Sequence, residues 1–282
     1  MASMALIALV AGMMVSGAAE DGCASLPPSA EAASRLSDLF DYDRPAESEA
    51  TLLKLAELAQ SCGNRELAAA SMAQAARAQA VQGKLAEARA TLDKARPLAS
   101  SPLTKIKLLL ETGRIARRER NIVEARALLN EAFTQAKLHG ADALAADAAH
   151  LLALIEDGPA SAQWTDRGLA VAEGSADPVA RRWVGNLAYN AGVRLAESGD
   201  HLAAALMFAR SVAARRIEND PELVAAAELA LSAELALLGK LEEAEAIQQR
   251  LLREAARWPD FAAEVREQIA KTEKLRQANA GR

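Results

Sequence analysis

The sequence has few aromatic residues, although more than half of it is apolar. Aromatic residues make up 3% of the 282 residues, and apolar residues make up 51%. Alanine supplies much of the apolar share, and it has the highest helix propensity because it loses no side-chain entropy. Sheets favour β-branched and aromatic residues, and no sustained apolar–polar alternation occurs. We therefore expect an all-α chain with no sheet.

The sequence also lacks the common motifs of catalysis and metal binding. It has no G-x-x-x-x-G-K phosphate loop, no G-x-S-x-G elbow and no H-E-x-x-H pair. None of the histidines at positions 139, 150 and 201 has another histidine or a cysteine at close ligand spacing. We therefore expect a non-enzymatic protein without a metal ion or cofactor.

An excess of basic residues is absent as well. The formal net charge is −5, and charges of both signs are interspersed along the chain. A general nucleic-acid binder would show a basic patch or stripe. The mixed charges instead predict a solvated helical surface and no nucleic-acid partner.

The first 19 residues are uncharged and resemble a secretory signal peptide. Met4 to Val15 is almost wholly apolar, and the segment from Ser16 to Ala19 has small residues suited to cleavage. The apolar run is shorter than the roughly 20 residues of a membrane span. We expect residues 1–19 to be removed on export, leaving a periplasmic protein that does not insert into the membrane. An uncleaved anchor and a cytosolic protein with an apolar first helix are the alternatives.

The chain contains two cysteines, Cys23 and Cys62. In an oxidising compartment they would pair and pin the new N-terminus to the first helices. A closed loop of that size stabilises a fold by roughly 3–4 kcal/mol on the chain-entropy model. The alternative is two unpaired thiols.

Prolines and polar caps divide the rest of the chain. Residues 20–45 are predicted to be irregular, because Leu26-Pro27-Pro28 is incompatible with a helix. Residues 46–258 carry a succession of helical patterns, and residues 259–282 form a last, highly charged helix that would cap the array. Three helices are predicted to start where a capping side chain precedes a proline, at Ser101-Pro102, Asp177-Pro178 and Asp220-Pro221.

The stretch from Gly185 to Arg215 shows the clearest pairing of two helices. A break at Ser198-Gly199-Asp200 separates two helical patterns. Gly192 lies on the first pattern and Ala204 on the second, so the two helices should approach closely. Phe208 is placed to fill the gap between them.

This spacing resembles the tetratricopeptide repeat, a helix–turn–helix unit that stacks into a solenoid. Related spacings occur in other units, with Arg120 in place of a turn glycine and Gln248 in place of a bulky residue. The positions that carry them are Ala76, Gly83, Ala88, Leu92 and Ala95; Gly113, Ala125, Leu129 and Ala132; and Ser232, Gly239, Ala244 and Leu251. The resemblance implies a right-handed α-solenoid of about five antiparallel helix pairs. The units are 36 to 43 residues apart by subtraction, longer than the usual period of about 34, so HEAT-like repeats of about 40–47 residues remain an alternative.

The resemblance also implies a concave groove lined by the first helix of each unit. The predicted lining residues are Gln74, Arg77, Lys107, Glu111, Arg114, Arg118, Asp147, His150, Asn186, Tyr189 and Asn190. Arg114 and Arg118 share one helix face and could bind a carboxylate of a partner. The alternative is a solvated face that Glu111, Glu119 and Glu124 neutralise.

Asn186, Tyr189 and Asn190 form a second predicted patch. The amides could bind a peptide backbone while the ring packs on a side chain. A structural amide that caps a neighbouring helix is the alternative for Asn190. The function expected from these features is an adaptor or scaffold that binds a protein segment. The main alternative is a helical-repeat protein that self-associates, and an enzyme is a remote alternative.

Overall fold

The protein is helical throughout the part of the chain that the structure describes. The computed structural model describes Cys23, Leu26 and residues 36–255 and 258–280, and no strand occurs among them. The prediction of an all-α chain is therefore confirmed for these residues. The predicted signal peptide at 1–19 and most of the predicted irregular segment at 20–45 lie outside them.

The chain divides into two compact units, Met1–Ile155 and Glu156–Arg282. The boundary falls inside the third predicted repeat, between its two helices.

The described residues of the first unit form six α-helices and two short 3-10 helices. The 3-10 helices are Leu36–Leu39 and Arg96–Leu98. The α-helices are α1 (Pro45–Ser61), α2 (Arg65–Val81), α3 (Leu85–Ala95), α4 (Pro102–Arg118), α5 (Ile122–Leu138) and α6 (Asp142–Ile155). Helix α2 lies at the centre of this part of the unit and contacts α1, α3 and α4.

Alanine explains why so many neighbours fit around α2. Eight of its alanines, including Ala69, Ala73 and Ala76, are at most 1% exposed. Small side chains keep the helix thin, and longer apolar side chains such as Leu52, Leu92 and Ile115 pack around it. A leucine in place of a fully buried alanine would force the neighbours apart, because protein cores are close-packed.

In the second unit, the part that the structure describes forms seven α-helices, one of them a single turn. They are α7 (Gly158–Gly174), α8 (Pro178–Arg181), α9 (Trp183–Glu197), α10 (His201–Glu218), α11 (Pro221–Leu237), α12 (Leu241–Glu254) and α13 (Pro259–Ala280). Helix α13 packs on α11 and α12, with Val265 and Thr272 fully buried. Its charged side makes ion pairs from Arg276 to Glu242 and Glu245.

The predicted helix starts are confirmed by their capping hydrogen bonds. Ser101 accepts a hydrogen bond from the backbone N–H of Thr104 at the start of α4. Asp177 and Asp220 accept equivalent bonds at the starts of α8 and α11. Each cap satisfies a backbone donor that has no partner within its own helix.

The predicted close approach of α9 and α10 is also confirmed. A Cβ atom added to Gly192 would lie 2.7 Å from the Phe208 ring, which is closer than such atoms pack. Phe208 is buried and fills the space that the glycine leaves. Any larger residue at position 192 would displace the ring.

A disulfide joins Cys23 to Cys62, at the C-terminal end of α1. The Cα atoms of the two cysteines are 5.5 Å apart. Leu26 packs against the core cluster of Leu36, Leu52 and Leu67. The disulfide therefore ties the chain near Cys23 to the core of the first unit.

Candidate functional site

Three helices of the first unit bring four charged side chains into one connected chain of ion pairs. Helix α4 contacts both α2 and α6. Arg77 on α2 lies 3.8 Å from Glu111 on α4, and Arg114 on α4 lies 2.7 Å from Asp147 on α6. Arg114 also pairs with Glu111, one turn away on its own helix, at 3.0 Å. We call Arg77, Glu111, Arg114 and Asp147 the arginine–carboxylate chain.

Arg114 pairs with two of the other three members of the arginine–carboxylate chain. One of its terminal nitrogens donates to both carboxylate oxygens of Asp147, at 2.8 and 2.7 Å, and its Nε donates to Glu111 at 3.0 Å. Its side chain is only 11% exposed. Burial alone would lower the pKa of Arg114, but the charges of Asp147 and Glu111 outweigh burial and raise it.

This arrangement changes what the predicted pair of arginines can do. Arg114 already binds two carboxylates within the protein, whereas Arg118 is exposed at the end of α4. Glu111 does neutralise Arg114, as the alternative interpretation has it. Glu119 and Glu124 instead pair with Arg89 on α3, at the exposed edge of α4 and α5.

Aromatic residues near the N-terminus cover the first member of the chain. The Arg77 guanidinium lies 5.4 Å from the centre of the Phe40 ring and 5.7 Å from that of Tyr42. Arg77 also donates a hydrogen bond to the Tyr42 hydroxyl. Asp41 holds this segment in place, because its backbone N–H donates to Ser48 on α1. Sequence reasoning missed these contacts because residues 40–42 are in an irregular segment far from Arg77 in the chain.

The remaining predicted groove residues of this unit differ in exposure. Lys107 is half-buried, and burial lowers its pKa although Glu111 opposes the shift. Gln74 and His150 are half-buried as well, and Arg118 is exposed. A half-buried ammonium whose charge is disfavoured by burial would be stabilised by a carboxylate placed beside it.

The second predicted patch belongs to the second unit and is built around a residue that the sequence analysis did not select. Arg215 on α10 lies 4.7 Å from the centre of the Tyr189 ring, and it donates a hydrogen bond to the Asn186 side chain at 3.4 Å. It also donates to the backbone carbonyl of Leu223 at 2.9 Å. Burial lowers its pKa, against the opposing effect of Tyr189 and nearby carboxylates.

Gly185 makes room for this arginine. A Cβ atom at position 185 would lie 2.9 Å from the Arg215 side chain. In the sequence, the glycine directly before Asn186 was therefore the feature that could have indicated a large side chain crossing α9 at this point. Asn186 and Tyr189 therefore hold an internal arginine, and Asn190 is half-buried on the same helix.

Clusters typical of metal sites are absent from the described residues. No group of three or more histidine, cysteine, aspartate or glutamate side chains among residues 36–255 and 258–280 could hold a metal ion. None of the helices described is both long and apolar enough to cross a bilayer.

Comparison with known proteins supports the helical architecture. No known family matches the chain, and no curated protein matches it either. Among solved structures, the crystal structure of BtubC (BKLC) from P. vanneervenii is similar, with a TM-score of 0.59 and 18% sequence identity. The similarity covers 77% of this chain and 92% of that chain. At this identity it shows a shared helical, repeat-like fold and nothing about function.

Proposed function

We propose that the protein is a non-enzymatic adaptor or scaffold whose helices form antiparallel, tetratricopeptide-like pairs in a right-handed solenoid. It binds a segment of a partner protein along the face of α2, α4 and α6. The signal-like residues 1–19 place it in the periplasm after export. The observation that supports this proposal is the arginine–carboxylate chain, because its cross-helix ion pairs bring predicted groove residues of three helices onto one connected face.

The chain of ion pairs supplies a rigid surface rather than free charges. Buried and mutually paired side chains lose little further freedom when a partner binds, which lowers the entropic penalty of association. At the rim of this surface are the exposed Arg118 and the half-buried Lys107. Both are cationic side chains, so the partner segment should present carboxylates.

Site-specific photo-cross-linking in the native cell tests this proposal. A photoreactive amino acid would replace Arg118 in one variant and Lys105 in another. Lys105 is an exposed lysine of the same helix, roughly 140° around the axis from Arg118 at about 100° per residue. We expect one dominant adduct with another protein at position 118 and none at position 105.

Charge reversal then tests the chemistry of recognition. Lys107→Glu combined with Arg118→Glu should weaken binding of the cross-linked partner at least 10-fold, because both recognition charges are inverted. Lys105→Glu is the matched control and should leave the affinity within about 2-fold. Equal adducts at positions 118 and 105, or unchanged affinity of the double variant, would rule out this face as the binding site. Arg114→Glu is unsuitable here, because it would place a third carboxylate beside Glu111 and Asp147.

A further inference from the structure

The outward face of α10 carries large apolar side chains that the described residues leave exposed. Leu202, Leu206 and Ile217 are 61%, 63% and 88% exposed. Their spacing places them on one side of the helix, with the exposed Ala209 and Ala213 between them. Single exposed leucines are common, but a stripe of large apolar residues along one helix marks an interaction surface.

A cavity runs beside the C-terminal half of this helix. Its volume is about 560 Å³, and its walls are mostly apolar. Ala213, Ala214 and Ile217 of α10 form one wall, and Pro178 and Val184 lie across from them. The N-terminal half of α10 thus projects leucines, whereas the C-terminal half borders a space that small side chains leave open.

The charges around α10 also differ between the two ends of the helix. Arg181 and Arg182 line the cavity near the C-terminal end of the helix, beside Glu218, whose pKa burial raises against the opposing charge of Arg182. Arg210 and Glu173, also at the cavity, neutralise each other. At the N-terminal end of α10, Glu197 and Asp200 are exposed. One end of this face is therefore acidic and the other is basic.

We propose that this face is a homodimer interface in which α10 packs antiparallel against α10 of a second copy. In a two-fold arrangement, the leucine half of each helix meets the alanine-lined cavity of the other. Leu202 and Leu206 of one copy then fill the cavity beside Ala213 of its partner, as small and large side chains do across packed helices. The same arrangement brings the acidic end of each helix next to Arg181 and Arg182 of the other copy. A parallel packing would juxtapose like charges and leave both cavities empty.

The length of the helix limits the strength of this interface. Helix α10 has 18 residues, so its face is about 27 Å long. With the cavity walls, each copy would bury about 500 Å², at the low end of specific interfaces. We therefore expect a weak, reversible dimer. The interface goes beyond the proposed adaptor function, because it uses α10 of the second unit and none of the residues assigned to partner binding.

Sedimentation equilibrium between about 1 and 500 µM tests the dimer. The mass should rise from monomer to dimer across this range. Leu206→Glu and Ile217→Glu should each weaken dimerisation at least 10-fold. Val123→Glu, which changes another exposed apolar residue in the first unit, should have no effect. Circular dichroism melts check that all the variants fold. A monomer at every concentration, or a dimer that neither α10 variant weakens, would overturn the proposal.

Cysteine cross-linking tests the antiparallel orientation. Leu202→Cys lies on the exposed stripe in the leucine half of α10, and Ala213→Cys borders the cavity. A mixture of the two single variants should cross-link with a short bis-maleimide, whereas each variant alone should not. Both native cysteines are in the disulfide and do not react. Self-linking of each variant alone would contradict the antiparallel arrangement.

The test of the α10 dimer can be separated from the test of the proposed adaptor function. Arg118→Glu should leave the dimerisation constant unchanged, and Ile217→Glu should leave the photo-cross-linked adduct at position 118 intact. Each proposal can therefore fail without the other. Loss of both properties in Ile217→Glu with an unchanged melt would overturn this separation and place the partner on α10.

Discussion

Arg114 lies between two carboxylates that come from different positions in the chain. Glu111 is one helical turn away, and Asp147 is on the next helix of the same face. Both carboxylates are about 4% exposed, so each depends on the guanidinium for its solvation. A buried ion pair adds little net stability over a well-packed apolar pair, but removal of one partner leaves an uncompensated buried charge.

Replacement of Arg114 should therefore destabilise the protein strongly. We expect Arg114→Met to lower the free energy of unfolding by about 3–5 kcal/mol, because Glu111 and Asp147 would lose their shared cation. Urea titration at pH 7 measures the change. Arg118→Met, on the same helix but exposed, should stay within about 0.5 kcal/mol. Addition of Glu111→Gln and Asp147→Asn to Arg114→Met should recover part of the loss. Equal effects of the two arginine variants would contradict the structure around Arg114.

Arg120 occupies a backbone conformation that favours glycine. Its φ angle is 63°, whereas Gly83 and Gly199 take φ angles of 81° and 83° in the corresponding turns. A residue with a Cβ atom is strained in this left-handed region by about 1–2 kcal/mol. The sequence placed Arg120 at a turn-glycine position, and the structure confirms it.

Substitution at this turn should consequently raise stability. Arg120→Gly should increase the free energy of unfolding by about 0.5–1 kcal/mol, since the released strain exceeds the added freedom of the unfolded chain. Differential scanning calorimetry would register a higher melting temperature. The converse change, Gly199→Arg, should lower stability by about 1 kcal/mol. A lower melting temperature for Arg120→Gly would be inconsistent with strain at this position.

Neighbouring helices of the first unit are connected through their ends as well as their apolar faces. Glu66 on α2 accepts hydrogen bonds from the backbone N–H groups of Ser100 and Ser101, at 2.7 and 3.1 Å. It also accepts from the Ser100 hydroxyl at 2.7 Å. These groups lie at the start of α4, where a carboxylate is favoured by unpaired N–H groups and by the helix dipole. Burial would raise the pKa of Glu66, but hydrogen bonds, chiefly the one that the Ser101 hydroxyl donates, lower it to about 2.

The pKa of Glu66 makes part of the stability dependent on pH. A carboxylate with a depressed pKa stabilises the fold above its unfolded pKa of about 4.5, and this contribution is lost as the pH falls towards 2. Because Glu66 is partly solvated, we expect a contribution of about 1–2 kcal/mol rather than the full value of the shift. Glu66→Gln should lower the free energy of unfolding by that amount at pH 7.

Urea titrations of both proteins at pH 7, 5, 3 and 2 test this dependence. The difference between wild type and Glu66→Gln should be constant down to about pH 5 and shrink below it. Glu57→Gln serves as a control, because Glu57 is an exposed glutamate of α1. It should have little effect at any pH. A difference that persists unchanged at pH 2 would show that the charge of Glu66 is not involved.

At the scale of the whole molecule, the two proposed surfaces belong to different compact units. The arginine–carboxylate chain lies in the unit that ends at Ile155, and α10 lies in the unit that begins at Glu156. The disulfide from Cys23 to Cys62 is in the first of these units. Variants at one surface can therefore be designed without altering residues of the other.

Local sequence signals were sufficient to predict most of the helices. Ser101, Asp177 and Asp220 each cap a helix as their sequence context indicates, because a cap requires only the next two or three residues. The close contact of Gly192 with Phe208 was likewise predictable, since two helices joined by a short turn must pack against each other. The assignment to the tetratricopeptide family and the handedness of the array remain predictions.

The sequence by itself thus determined the helical class, the helix ends and the residues that share a helix face, because these depend on contacts within a few residues. Only the tertiary structure decided which charged side chains are paired within the protein. Arg114 and Arg118 look equivalent on one helix. In the folded protein, however, Arg114 forms an ion pair with Asp147, which lies 33 residues further along the sequence on another helix. Phe40 and Tyr42 on Arg77, and Arg215 against Tyr189, are contacts of the same kind. An ion pair forms only where packing brings two groups within about 4 Å, and that distance depends on how whole helices stack.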